Sequence, residues 1–251
     1  MNPTDARRYQ APPQLLKDKV ILVTGAGDGI GRAAAIAYAS HGARVILLGR
    51  TVTRLEAVYD RIVELGGPEP IIHPLDLAKA GEPDYQQVAD ALDEQFGRLD
   101  GLLHNAGILG QRTPIGKYHP AVWQEVMQVN LNAAFLLTRA LLPLLQAAGT
   151  ASIIFTSSGV GRRGRAYWGA YAVSKFATEG LAQVLSHELE EISQVRVNCI
   201  NPGATRTNMR AAAYPAENPA VLKTPEQLMP IYLYLMGGDS TGITGQSLDA
   251  Q

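Results

Sequence analysis

The sequence predicts an α/β fold: a single doubly wound domain with a mostly parallel sheet of about seven strands. Three observations lead there. Short β-branched or leucine-rich runs alternate with longer segments of helical period almost from end to end, as strands and covering helices do in doubly wound domains. Most of the short runs are continuously apolar, which suits strands buried on both faces. The 251 residues, 46% hydrophobic and 18% charged, can bury a substantial core, and no linker, repeat or low-complexity tract divides them.

In chain order, a polar, proline-bearing arm over residues 1–17 precedes a domain over 18–251. The first strand, 20–24, reads Val-Ile-Leu-Val-Thr and runs into a glycine-rich turn and an alanine-rich helix at 30–41. A second strand at 44–48 and helix at 52–65 repeat the unit, followed by a strand at 71–75 and a helix at 85–96. The strand at 101–105 leads to a long helical segment at 121–145, within which Pro143 should kink or end the helix. A strand at 152–156, a helix at 171–191, a strand at 195–200, a helix at 225–236 and a short strand at 247–248 complete the pattern. In such sheets ligands bind at the carboxyl ends of the strands, so the residues just after each strand carry the functional question.

Composition narrows the class. With 22 basic and 23 acidic side chains the formal charge is −1, which offers no footprint for nucleic acid or anionic lipid. The lone Cys199 has no disulfide partner and points to a reducing compartment, so the cytoplasm is the expected location. Arg7 and Arg8 are not followed by the apolar run of a secretory signal. The greasiest stretch, 133–148, is broken by Thr138, Arg139 and Pro143 and falls short of a membrane span. Histidines 41, 73, 104, 119 and 187 have no metal-ligand spacing, so no metal site is expected.

The strongest local signal after a strand is Thr24-Gly25-Ala26-Gly27-Asp28-Gly29-Ile30-Gly31. Glycines here permit a tight turn and bring backbone N–H groups up to a pyrophosphate, whose charge a helix N-terminus favours. The dinucleotide fingerprint of the Rossmann-type fold asks for glycine at the first, third and sixth places, but the sixth is Ile30; glycine at 25, 29 and 31 is the better fit. That wider spacing resembles the short-chain dehydrogenase/reductase family. The resemblance extends over roughly residues 18–245, with the motifs in the family's order. The phrases at 47–50, 104–107, 155–161 and 198–209 are similar to a bacterial oxidoreductase subgroup without an assigned substrate.

The resemblance implies a nicotinamide dinucleotide laid across the strand ends, contacted by Gly25, Asp28, Gly29, Ile30 and Gly31. After the second strand, where many NAD-dependent relatives carry an acid, the chain has Gly49 and then Arg50. A missing carboxylate and an arginine able to fork onto a 2′-phosphate favour NADP(H) over NAD(H). Against this, Asp28 stands where some NADP-preferring relatives place a basic residue. Asp76 matches the position that holds the adenine, with Leu77 after it, although a turn-forming or capping aspartate fits the spacing as well. His104-Asn105-Ala106-Gly107 resembles the family's Asn-Asn-Ala-Gly element; Ala106 and Gly107 let the backbone pass close to the cofactor and Asn105 braces the sheet. Pro202, Gly203, Thr205 and Thr207 resemble the Pro-Gly segment beside the nicotinamide.

The chemical signal is Tyr171-Ala172-Val173-Ser174-Lys175. Four residues apart on a helix, Tyr171 and Lys175 share a face, so an ammonium can sit near a phenol, a poor proton shuttle at its ordinary pKa of about 10. Ser158, thirteen residues before Tyr171, matches the family's substrate-orienting serine, whereas Ser157 falls one residue out of register. Asn130 matches the asparagine whose backbone kink holds a water joined to the lysine. The implied catalytic set is Asn130, Ser158, Tyr171 and Lys175, with Tyr171 and Lys175 also touching the cofactor. The implied reaction is hydride transfer between nicotinamide and a small-molecule carbonyl or alcohol, NADPH-dependent carbonyl reduction favoured. The alternative is a nucleotide-sensing or scaffold protein without turnover. Relatives form dimers or tetramers through the helices at 121–145 and 171–191, and Phe135, Leu136, Leu141, Leu181 and Leu185 supply apolar surface there. Arg162, Arg163 and Arg165 stand near Ser158, either solvated, bracing a subunit contact, or meeting an anionic substrate.

Overall fold

A computed structural model describes residues 3–251. Seven strands form one wholly parallel sheet: β1 (Val20–Thr24), β2 (Arg44–Gly49), β3 (Ile71–Pro74), β4 (Gly101–His104), β5 (Thr150–Thr156), β6 (Gln194–Asn201) and β7 (Ser247–Asp249), in the order β3-β2-β1-β4-β5-β6-β7. The chain starts in the middle of the sheet, builds outward to β3, then returns to place β4 on the other side of β1. The resulting crevice lies at the carboxyl ends of β1 and β4, where a doubly wound sheet binds its ligands.

Helices α1 (Gly29–Ser40), α2 (Val52–Glu64), α3 (Glu82–Phe96), α4 (Pro120–Met127), α5 (Ala133–Ala147), α6 (Gly169–Leu189), α7 (Asn208–Ala213) and α8 (Met229–Met236) cover both faces. β1, β4 and β5 are buried on both faces, which is why they read as unbroken apolar runs. One layer of the core joins Val23, Tyr38, Val45, Leu47 and most of α8. The other joins Leu22, Ile46, Leu102, Leu141, Ile153 and Val197.

Several expectations change. Pro143 does not end its helix: α5 continues to Ala147. Proline removes the bond to the carbonyl of Arg139, but both residues face solvent, and Leu141, Leu144 and Leu145 anchor the segment to the core. The irregularity falls earlier, as a π-turn at Gln128–Asn132. The helical run Pro120–Ala147 is therefore longer than the sequence suggested, and by length and composition alone it could cross a membrane. Its buried residues pack into the sheet's core. The arm is tied to its own domain: Ala6, Tyr9 and Leu16 are buried, Tyr9 donates to Asp239 at 2.7 Å, and Arg7 donates to the Asp249 carbonyl at 2.8 Å.

Candidate active site

One cleft of about 370 Å³ runs along the strand ends from the glycine turn to Tyr171. Its walls include every residue expected to bind cofactor except Gly31, together with Ser158 and Lys175. Gly31 acts from behind: a Cβ there would lie 2.2 Å from the Gly25 carbonyl oxygen and 2.5 Å from the Asn105 amide. Gly25 takes φ +66°, and its own Cβ would come within 2.9 Å of the Ala106 backbone. Glycine at both places lets β1, β4 and α1 meet closely enough to shape the cradle.

Side-chain hydrogen bonds hold this junction. The Thr24 hydroxyl accepts from the backbone N–H groups of Asn105 and Ala106 at 3.0 and 3.1 Å. His104 is buried, stacks on Phe155 and bonds Thr138 at 2.8 Å through Nε2. Because the Thr138 hydroxyl donates to the Ala134 carbonyl, it must accept from His104, which assigns the proton to Nε2. Burial, with Lys175 nearby, lowers the imidazole pKa to about 3, so His104 is neutral. It ties β4 to α5.

Asp28 caps α1, its Oδ1 accepting from Gly29 N–H at 2.7 Å. Its Oδ2 accepts from Asn208 at 2.7 Å and from Arg54 at 3.2 Å. Arg54, with Thr51, lines the cleft beside Arg50 and was not anticipated from the sequence. Its stem packs so closely on the glycine turn that a Cβ at Gly27 would lie 3.0 Å from Arg54 Cβ. The local pattern held no signal for this approach, since Arg54 reads as an exposed cation in the first turn of a helix. Asp76 lines the cleft and accepts from Ala78 N–H at 3.2 Å, the bond of a turn-forming aspartate.

At the other end, Lys175 is buried, donates to the Thr156 carbonyl at 2.6 Å and lies 5.7 Å from the centroid of the Tyr171 ring. Burial lowers its pKa to about 8, opposed by Cys199 and Glu179. Tyr171 is raised above its ordinary value by burial, while the Ser158 hydroxyl pulls it down. Desolvation outweighs that hydrogen bond. Ser157 and Ser158 both line the cleft, but the buried Ser157 hydroxyl is committed to Glu179, whereas the half-buried Ser158 caps the turn after β5.

Asn130 lies in the π-turn, outside the main cleft. Its amide accepts from Ile108 N–H at 2.8 Å and donates to the Ile108 carbonyl and Ser174 hydroxyl, both at 3.0 Å. The side chain therefore fixes the loop after β4 to α6 rather than touching Lys175. A cavity of about 10 Å³, the size of one water, is lined by Asn130, Lys175 and His104.

Beyond the cradle, Thr207 caps α7, its hydroxyl accepting from Arg210 N–H at 3.1 Å. Gln251 closes the Pro-Gly segment from beneath, its amide donating to the carbonyls of Pro202 at 2.6 Å and Ala204 at 3.1 Å. Arg162 does not face the cleft: it pairs with Asp249 at 2.7 Å and Glu179 at 3.4 Å, securing β7. Cys199 is buried and its thiol pKa is pushed up, so it is an inert core residue.

A crevice at the sheet's switch point, a glycine cradle at the start of α1, and a buried tyrosine and lysine at its far end define a dinucleotide-dependent oxidoreductase. A family profile described as short chain dehydrogenase matches residues 19–218. The chain belongs to the short-chain dehydrogenase/reductase family. It is 56% identical over 243 residues, 97% of this chain and 96% of the other, to the Escherichia coli K12 protein described as "Uncharacterized oxidoreductase YciK". A short chain dehydrogenase structure from Pseudomonas syringae shares 60% identity at TM-score 0.95, covering 97% of this chain and 98% of that one. Another, from Escherichia coli CFT073 complexed with NADPH, shares 56% identity at TM-score 0.93, covering 96% and 99%. The protein is an NAD(P)-dependent enzyme acting on CH–OH or C=O groups of small molecules.

Proposed function

We propose that the enzyme reduces carbonyl compounds with NADPH, and that it runs in reverse as an alcohol dehydrogenase. The observation carrying this reading is the convergence of Ser158, Tyr171 and Lys175 at one end of a cleft whose other end is a glycine cradle flanked by Arg50 and Arg54. The cradle suits a pyrophosphate, and the two arginines suit a 2′-phosphate. The NADPH complex of the Escherichia coli CFT073 relative supports the same cofactor.

Ser158 binds the carbonyl oxygen and Tyr171 donates the proton to it. When bound, the reduced nicotinamide supplies the hydride. A phenol whose pKa burial keeps high is protonated at neutral pH, as a proton donor must be, and this favours the reductive direction. Lys175 holds the nicotinamide ribose and places positive charge beside the phenolate left after proton transfer. Asn130 is a positioning residue, with the adjacent water-sized cavity giving a route by which the proton is refilled. Gly25, Asp28, Gly29, Ile30 and Gly31 form the pyrophosphate turn, Asp76 and Leu77 the adenine end, and Asn105, Ala106 and Gly107 the floor. Pro202, Gly203, Thr205 and Thr207 hold the carboxamide end.

Fluorescence titration with NADPH and NADH, followed by a carbonyl panel with whichever binds, tests the proposal. NADPH binding with turnover is expected. Failure to bind either cofactor overturns it, and binding without any turnover favours the sensor or scaffold alternative.

Two further outcomes follow from the geometry. Gln251→Ala removes the bonds to Pro202 and Ala204, each worth about 1 kcal/mol, and should weaken NADPH binding several-fold. An unchanged dissociation constant would show that the segment holds its shape alone. Because the Lys175 ammonium titrates near 8, its charge is present below that pH and lost above it. Reductive kcat at saturating NADPH should therefore fall as pH rises through about 8, and a flat profile from pH 7 to 9 would contradict the role.

Phe135, Val173, Phe176 and Val184 expose apolar surface on α5 and α6, which supports a homodimer or homotetramer through these helices. The chain is read as an arm over 1–17 and one domain over 18–251, and the enzyme works in the cytoplasm.

A further inference from the structure

Past Tyr171, the cleft is walled by Leu109, Trp168, Met209 and Ala213, an apolar surface continuous with the small core cluster around Trp168. The guanidinium of Arg112, an exposed side chain outside the cleft's own lining, lies over the Trp168 of this wall. It sits 4.7 Å from the Trp168 ring centroid and 4.8 Å from that of Tyr214, and donates through Nη1 to the Ala213 carbonyl. Three segments meet on it: the loop after β4, the loop before α6, and α7 with the residue that ends it.

The neighbouring arginines are differently employed. Arg210 is bidentate to Glu217 at 2.6 Å, Arg162 pairs with Asp249 and Glu179, and Arg206 donates to three backbone carbonyls. Among the described residues Arg112 has no carboxylate within 4.0 Å. Two aromatic faces fix its plane, and a single carbonyl bond leaves other donors of the fork unused, an arrangement ready-made for an anion. Trp168 connects it to the reacting end, its ring lying 5.7 Å from that of Tyr171.

We infer that Arg112 is a specificity residue and that the preferred substrates are aromatic or alicyclic carbonyl compounds carrying an anionic group away from the carbonyl. The ring lies on Leu109, Trp168 and Met209, the carbonyl meets Ser158 and Tyr171, and the anion meets Arg112. This rests on the carbonyl-reductase reading above. The reaction is unchanged by it: one carbonyl takes hydride and one proton and becomes an alcohol, as the cofactor is oxidised.

The test compares 4-formylbenzoate with its methyl ester, which keeps the ring and aldehyde but loses the charge. The wild type should favour the acid by about tenfold or more in kcat/KM, the scale of a charge-assisted bond. Arg112→Leu should abolish that preference, bringing the acid down to the kcat/KM of the ester measured in the same variant, while Arg112→Lys should retain part of it. No preference in the wild type, or one that persists in Arg112→Leu, overturns the inference. The wild-type comparison needs no variant, so a poorly folded mutant does not spoil it. If neither aldehyde is turned over, turnover elsewhere in the carbonyl panel decides the carbonyl-reductase reading. Quenching of tryptophan fluorescence by 4-formylbenzoate on the NADPH complex then decides the anion site separately: quenching that weakens with salt and is lost in Arg112→Leu supports it, and no quenching refutes it.

Discussion

Tyr171→Phe should lower kcat for carbonyl reduction by roughly 10²–10⁴-fold, the usual contribution of a positioned general acid, while leaving NADPH affinity within about twofold. The two effects separate because the phenylalanine ring keeps the contact with Trp168 and the burial that orient the start of α6, and only the hydroxyl is lost. Ser158 still caps its turn through Val160, so the fold should lose no more than about 1 kcal/mol, one hydrogen bond's worth. Single-turnover reduction with preloaded NADPH, alongside fluorescence titration, measures both quantities. Full turnover by the variant would remove Tyr171 from the chemistry. Equal loss of turnover and binding would make it a structural residue of the cleft.

What could be read before any coordinates follows from how local each signal is. β1, β4 and β5 are buried on both faces, so their apolar runs state their environment directly, and the glycine turn and the Tyr171–Lys175 pair depend on spacing within one segment. The start of α3 at Glu82 went unread because Glu82, Pro83 and Asp84 supply a cap and an acidic first turn but no apolar period. α7 is six residues long and alanine-rich, too short for a period to show. Pro143 drew attention as a break because proline removes a backbone donor, yet the helix departs from α geometry around Asn130, where the family resemblance and no local propensity pointed to a kink and where the side chain bonds Ile108 and Ser174. The arm's Tyr9 is an isolated aromatic residue whose partners, Asp239 for the hydroxyl and Tyr234 of α8 for the ring, lie more than two hundred residues away. Tertiary contacts of that kind also hid Arg54 and Gln251.

Arg54 leads to the second large effect. Replacing both Arg50 and Arg54 with alanine should weaken NADPH binding by about 10²-fold or more, since a charge-assisted bond to phosphate contributes roughly 1.5–3 kcal/mol, and should leave NADH binding nearly unchanged. Among the described residues Arg54 is held by Asp28 alone of the side chains, across an ion pair with both partners about half exposed. A pair so exposed is worth at most about 1 kcal/mol, so a 2′-phosphate, with more charge and more acceptor oxygens, competes with it on favourable terms. Asp28 thereby acts against the phosphate twice, by repelling it and by occupying its partner. Asp28→Asn keeps the cap on Gly29, because asparagine caps as well as aspartate, and removes the charge. It also turns the Oδ2 acceptor of Asn208 and Arg54 into a donor, which frees Arg54 at the cost of the bond to Asn208, and should tighten NADPH by a few-fold, again sparing NADH. Titrating both cofactors against the wild type, the double alanine variant and Asp28→Asn gives the answer. Parallel losses for NADPH and NADH in the arginine variant would mean that the arginines shape the adenosine end of the cleft without reading its phosphate, and a weaker NADPH complex in Asp28→Asn would mean that the carboxylate holds Arg54 where the phosphate needs it.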